Sequence, residues 1–222
     1  MPTARLPRFP IRVIGPRELD AAQAAGETVV WTVSKAEEDW QRDLSPFHLG
    51  PVPVYGGRQS RSMENAWQYA KVYATHAQAD GTPTAEYWDW AEAGWKRPAV
   101  RYPMGKGAKP LYCLWDGERL DYLTARRKVY FPVYRDAVKL TEGFRRLQEL
   151  HVKGPVTLFD FDGYCHQTRN MTLAQVAAFT SRPMGHAFVL KAMLLHGVDV
   201  TPEDLATLED PPRSSAEQLG LF

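Results

Sequence analysis

From Met63 onward the chain sets apolar and small residues at helical spacing. Met63, Ala66, Ala70, Tyr73 and Ala77 fall on one face, which predicts a helix from Met63 to about Gln78. Ser62, just ahead of it, is a good N-cap. Elsewhere the pattern changes. Thr28 to Val33 and Leu111 to Trp115 have the β-branched and aromatic content of strands, and Pro155 to Gly163 reads as a strand ending in a turn, with Asp160 and Asp162 alternating on one side of it. Asp116-Gly117 marks a turn after the second. Further helices are expected from Thr84 to Gly94, from Leu120 to Leu150 with a break near Pro132 or Gly143, from Thr172 to Thr180, and from Gly185 to His196. A turn-rich stretch, 44–57, and a long loop, 96–110, separate them. The sum is an α+β fold, mostly α-helical: a single domain with a few short strands. Residues 1–26, with Pro2, Pro7, Pro10 and Pro16, read as a loosely packed N-terminal extension. Residues 27–200 read as the domain and 201–222 as a C-terminal tail containing the loose run Pro211 to Ser215.

Composition narrows the classes. Of 222 residues, 44% are hydrophobic and 24% charged, enough for a packed core. With 27 basic and 26 acidic residues the net charge is +1, which argues against broad electrostatic capture of nucleic acid while permitting a local basic cleft. Cys113 and Cys165 are too few for a disulfide framework, and Cys165-His166 lacks the second ligand pair that zinc requires. No run approaches the roughly 18 apolar residues of a membrane span, and the basic N-terminus has no apolar stretch behind it. The expectation is a cytoplasmic protein without a membrane partner. Seven Trp and ten Tyr supply either core packing or a stacking surface for a base. Five basic residues in 96–110 offer a place to hold a phosphate.

At about 100° per residue, Glu64, Gln68 and Lys71 lie within about 60° of one another on the expected helix. An acid, an amide and an amine thus share one line. Spacing alone describes an ordinary solvated stripe equally well. Chemistry offers a second reading. Cleaving a glycosidic bond builds positive charge on the sugar, and a fixed carboxylate stabilises that charge or activates the attacking water. Glu64 would be that carboxylate. Lys71 would steady it or bind a phosphate, and Gln68 would orient a ribose hydroxyl or a base edge.

The pattern Ser62-x-Glu64-x-x-x-Gln68-x-x-Lys71 resembles the signature of the NADAR/YbiA-like N-glycosidase superfamily. Upstream, Leu44-Ser45-Pro46-Phe47 resembles that family's Phe-Ser-Asn-Phe turn, with Leu44 for the aromatic and Pro46 for the Asn. Downstream, Arg126 to Val138 resembles a family helix that carries an Arg, with Ala137-Val138 where a Lys-Phe ending is expected. Phe159 to Tyr164 and Pro183 to Leu190 stand where the family has an Asp-bearing strand and the opening of its final helix. The resemblance, that of a divergent member, spans about residues 44–197. It implies hydrolysis of an N-glycosidic bond to ribose, without metal or organic cofactor. It also implies a nucleotide-like small molecule, or an ADP-ribosylated nucleobase, as substrate. Glu64, Asp160 and Lys71 become the catalytic candidates. Ser62, Gln68, Trp67, Trp115, Arg126, Asp162, Tyr164, Gly185 and His186 become the substrate-binding ones.

Two rivals belong beside this reading. Leu158-Phe159-Asp160-Phe161-Asp162-Gly163 also resembles the nucleophile motif of magnesium-dependent haloacid-dehalogenase-type phosphatases. That motif normally continues with Thr or Ser, whereas Tyr164 follows here, and about 60 residues remain where a long α/β domain is needed. The other rival is a nucleotide or ADP-ribose binding module that keeps a cleft and lacks turnover.

Overall fold

The computed structural model describes residues 9–206. In chain order it contains β1 (Ile11–Ile14), α1 (Leu19–Ala24), β2 (Val29–Trp31), α2 (Asp39–Arg42), β3 (Val52–Val54), β4 (Arg58–Ser60), α3 (Met63–Gln68) and β5 (Lys71–Val72). Then follow α4 (Ala85–Lys96), β6 (Tyr112–Trp115), β7 (Glu118–Leu120), α5 (Tyr122–Ala125) and a π-turn (Arg126–Tyr130). The chain closes with α6 (Phe131–Val138), α7 (Glu142–Lys153), β8 (Val156–Phe159), α8 (Leu173–Ala178) and α9 (His186–His196). This is the expected helix-rich α+β fold with short strands. Five helices begin where a side chain receives an early amide, from Ser62, Thr84, Asp121, Thr141 and Thr172. No helix among the described residues is long and apolar enough to cross a membrane. Packing divides the chain into two compact units, Ser45–Ala137 and the remainder.

The unit built from the two chain ends centres on a parallel sheet of order β1-β8-β2, with Ile11 opposite Val156 and Val29 opposite Thr157. All four β8 residues are buried, as the central strand of a sheet covered on both faces requires. The one hydroxyl among them, on Thr157, donates to Glu27, which also receives Arg12. Nine of the eleven α9 residues are buried. The N-terminal segment departs from expectation. It is not a loose entry from end to end, because β1 and α1 lie within residues 1–26 and β1 flanks the central strand. Its prolines leave Ile11–Ile14 untouched, and those four residues have strand chemistry. The tail run Pro211 to Ser215 lies outside the described residues.

The unit Ser45–Ala137 holds the β3–β4 hairpin and an antiparallel sheet of order β5-β6-β7. Asp116 and Gly117, both at positive φ, turn β6 into β7 as the sequence indicates. The expected helix from Met63 to Gln78 ends early, at Gln68. Strand pairing overrides its helical period: Ala70 O accepts from Leu114 N at 2.7 Å, and Lys71 pairs with Cys113. Met63, Ala66, Ala70 and Tyr73 remain buried, but on a helix, a junction and a strand in succession. Pro132 does not break the 122–138 run. It lies in the first turn of α6, directly after the π-turn, where a missing amide is tolerated.

Gly94 on α4 is fixed by a close approach. A Cβ there would lie 2.0 Å from Cδ1 of the fully buried Tyr69 ring. Gly94→Ala is therefore expected to destabilise the protein by about 1–3 kcal/mol, read as a lower urea midpoint at unchanged slope.

Candidate functional site

Among the described residues, the candidate carboxylates Glu64 and Asp160 are both buried, one in each unit. In Ser45–Ala137, Ser62 Oγ accepts from Asn65 N at 3.2 Å and starts α3. The turn ahead of it holds the helix end: Met63 N donates to Leu49 O and Glu64 N to Pro46 O, each at 2.8 Å. Pro46 thus contributes through its carbonyl, which the ring leaves intact. Asn65, fully buried, donates from Nδ2 to Gly94 O at 2.9 Å and Arg97 O at 2.8 Å, and its Oδ1 accepts from Val100 N at 2.9 Å. One amide therefore fastens the start of the long basic loop to the helix that carries Glu64.

Glu64 is 6% exposed, and Gln68 Nε2 donates to its Oε1 at 2.8 Å. Lys71 Nζ donates to Gln68 Oε1 at 2.6 Å. An ammonium can only donate, so it claims the amide oxygen and leaves the NH₂ group for the carboxylate. Glu64, Gln68 and Lys71 do share one line, yet by a different route from the one expected. Lys71 is on β5, not on the helix, and returns to Gln68 from the strand. The short α3 also offers less helix dipole to Glu64 than a four-turn helix would; the side-chain relay takes that place. Burial pulls the Lys71 amine down to about 8, partly opposed by the negative charge of Glu64 and reinforced by Arg101. Burial also raises the Cys113 thiol across the strand pair, to about 12.

An aromatic wall adjoins this relay. Lys71 Nζ lies 4.9 Å from the Trp67 ring centroid, and Trp67 meets Tyr130 edge-on at 5.2 Å and Tyr122 at 6.4 Å. Arg126, on the π-turn, is buried; it stacks on Tyr122 at 4.7 Å and donates to its hydroxyl at 2.8 Å. Trp115 packs with Trp67 on the apolar cluster of Ala70, Cys113 and Val129.

In the other unit, Asp160 follows the central strand β8 and is 3% exposed. Its Oδ1 accepts from Asp162 N at 3.0 Å. Its Oδ2 accepts from Ala187 N at 3.2 Å and faces His186 Nδ1 at 3.1 Å. His186 Nε2 lies 2.6 Å from Thr32 O. Gly185 leaves room for this carboxylate, since a Cβ there would lie 2.2 Å from Oδ2. The start of α9, expected to bind substrate through Gly185 and His186, is thus engaged by Asp160. Tyr164, expected to bind substrate, is buried against Phe188 at 4.9 Å.

Residues 16–190 match a protein family described as a family of unknown function, DUF6939. The chain belongs to DUF6939. No curated protein and no solved structure matches it. Every candidate from Ser62 to His186 falls inside the DUF6939 match. Sequence reasoning passed over Asn65 and Tyr122 of the DUF6939 chain. An Asn in the body of a helix, where it is a poor helix former, was the available signal for the first; Tyr122 carried none beyond composition.

The Lys71 shift sets a pH dependence. Because the folded value near 8 lies below the ordinary 10.5, the folded state binds fewer protons between those two values. The Lys71 contribution to stability therefore rises with pH across that window, and the cost of the buried cation is fully present below about pH 8. Lys71→Met is expected to flatten this rise, as measured by urea melts from pH 7 to 10.5.

Proposed function

We propose that this protein hydrolyses an N-glycosidic bond between a ribose and a base or amine, with Glu64 as the catalytic carboxylate. The observation that carries the reading is the buried relay from Lys71 through Gln68 to Glu64. A carboxylate with its oxygen fixed in a water-poor setting is what an oxocarbenium-like transition state needs beside it, since nothing must reorganise as charge develops. The similarity of Ser62, Glu64, Gln68 and Lys71 to the NADAR/YbiA-like signature supports the same reading.

In this scheme the C1′–N bond breaks with its electron pair leaving on the base. Positive charge spreads over C1′ and the ring oxygen, facing Glu64. Water adds at C1′, and its proton ends on the departing nitrogen. Lys71 and Gln68 are positioning residues that hold the carboxylate, and the face of Trp67 with Tyr122 and Tyr130 receives the leaving base. Arg126 is the nearby cation for a phosphate or diphosphate on the ribose. The substrate is a nucleotide-like small molecule or an ADP-ribosylated nucleobase, met in the cytoplasm. Asp160 has a scaffolding task here, fastening the β8 turn to the start of α9.

Glu64→Gln is expected to lower base release by about 10²–10⁴-fold while circular dichroism and the melting midpoint stay close to those of the parent. Nucleoside 5′-phosphates and an ADP-ribosylated nucleoside are the substrates to assay. Full activity in Glu64→Gln would sink the proposal. Calorimetric binding without any turnover in the parent protein would replace it with a binding module.

A further inference from the structure

Charge is unevenly shared between the two units. Ser45–Ala137 holds 13 Lys and Arg against 9 Asp and Glu, a net of +4, whereas the remainder holds 14 against 17, a net of −3. The near-neutral total therefore hides one basic unit. Its longest acid-free stretch is the loop after α4. From Ala93 to Trp115 there is no Asp or Glu, and Lys96, Arg97, Arg101, Lys106 and Lys109 all fall inside it. Lys96, Arg97, Lys106 and Lys109 are exposed and, among the described residues, have no carboxylate within ion-pair distance. In the other unit, by contrast, Arg12 pairs with Glu27, Lys139 with Asp199 and Arg146 with Glu142. The buried Lys191 there donates to His166 Nε2 at 2.8 Å, and His166 Nδ1 is held by Met171 O.

The basic loop is held at both ends. Asn65 fastens its first residues through Gly94, Arg97 and Val100. Leu111, directly after it, donates its amide to Val72 O at 2.8 Å. Between these anchors run two successive turns, with Gly105 N donating to Tyr102 O at 2.9 Å and Ala108 N to Gly105 O at 3.3 Å. A Cβ at Gly105 or Gly107 would meet nothing within 4 Å, so these turns stand clear of the body. The first of them opens on Tyr102 at φ 66°, a left-handed conformation that a bulky aromatic residue rarely takes. The Tyr102 ring is 42% exposed, and the Arg101 guanidinium carbon is 5.1 Å from its centroid. A ring kept in solvent buries little for the fold, so its unusual backbone has a use outside the fold.

We infer that the loop 96–110 is a docking surface for single-stranded nucleic acid, with Lys106 and Lys109 on its phosphates and Tyr102 stacked on a base. Charge complementarity calls for a polyanion. The exposed ring then chooses among polyanions. A single strand offers phosphates with unpaired bases between them, and so meets cations and an aromatic face together. An acidic peptide has no such planar face, and a duplex keeps its bases stacked on one another. The balanced total charge argued against broad capture of nucleic acid; a surface confined to one loop needs no basic whole. The inference stands independently of the glycosidase reading.

Fluorescence anisotropy of a labelled single-stranded dodecamer, titrated with the full chain at several salt concentrations, tests this. The parent should bind the single strand, bind a duplex of the same length more weakly, and lose affinity as salt rises. Lys106→Gln combined with Lys109→Gln should weaken binding about tenfold and lower the slope of log affinity against log salt by about 1.4, the share of two phosphate contacts. Tyr102→Ala should weaken binding about tenfold with the slope unchanged, and Tyr102→Phe should bind as the parent does. Tyr102→Gly accepts the left-handed backbone, so it should melt close to the parent's midpoint and still bind about tenfold more weakly, which a loss of folding cannot imitate. Lys153→Gln, which removes a charge from the other unit, should bind as the parent does. No binding by the parent, unchanged binding in the lysine pair or in Tyr102→Ala, or equal affinity for the duplex, a polyglutamate peptide or anionic-lipid vesicles would overturn the inference.

Discussion

Burying a carboxylate obliges the surrounding chain to deliver hydrogen-bond donors to it, because an unmatched charge away from water is too costly to keep. Much of the unit Ser45–Ala137 can be understood as meeting that obligation at Glu64. Its amide is held by the Pro46 carbonyl and its Oε1 by Gln68. Gln68 in turn is oriented by a lysine on a neighbouring strand. The premature end of α3 then has a purpose: only by leaving the helix can the chain bring Lys71 back alongside Gln68 while pairing with β6. Asn65 completes the frame by fastening residues 94–100 to the same helix.

The same obligation operates in the other unit with different materials. There the buried carboxylate, Asp160, receives two backbone amides and faces a histidine, and the parallel strand β8 delivers it to the start of α9. A carboxylate supplied in this way, by local backbone and a packed helix end, organises a loop. Glu64 is supplied instead by a chain of side chains, Gln68 and Lys71, that reaches it from a neighbouring strand.

Wherever one local rule dominated, the sequence was legible. Strands β6 and β8, helices α4 and α9 and the Asp116-Gly117 turn are all visible in their apolar and turn residues. So was the polar triplet, since Glu64, Gln68 and Lys71 do form one connected line. The route to that line was not legible: a helical period continued past Gln68, and only the partner strand, some forty residues on, decides that Ala70 and Lys71 pair instead. Strand β1 was hidden for a similar reason. Four apolar-rich residues between prolines carry little local signal, and their place is set by β8, which lies far along the chain. The left-handed bend at Tyr102 lies in a loop whose course no periodicity encodes.

Lys191 has a consequence for how the molecule opens. It is the lone cation in a helix otherwise made of apolar residues and two terminal histidines, and its acceptor, His166, is also the pin of the loop 166–171. Separating helix α9 from that loop breaks the buried bond between Lys191 and His166. That bond ties the loop 166–171 to the helix core, so the opening of one segment is coupled to the opening of the other.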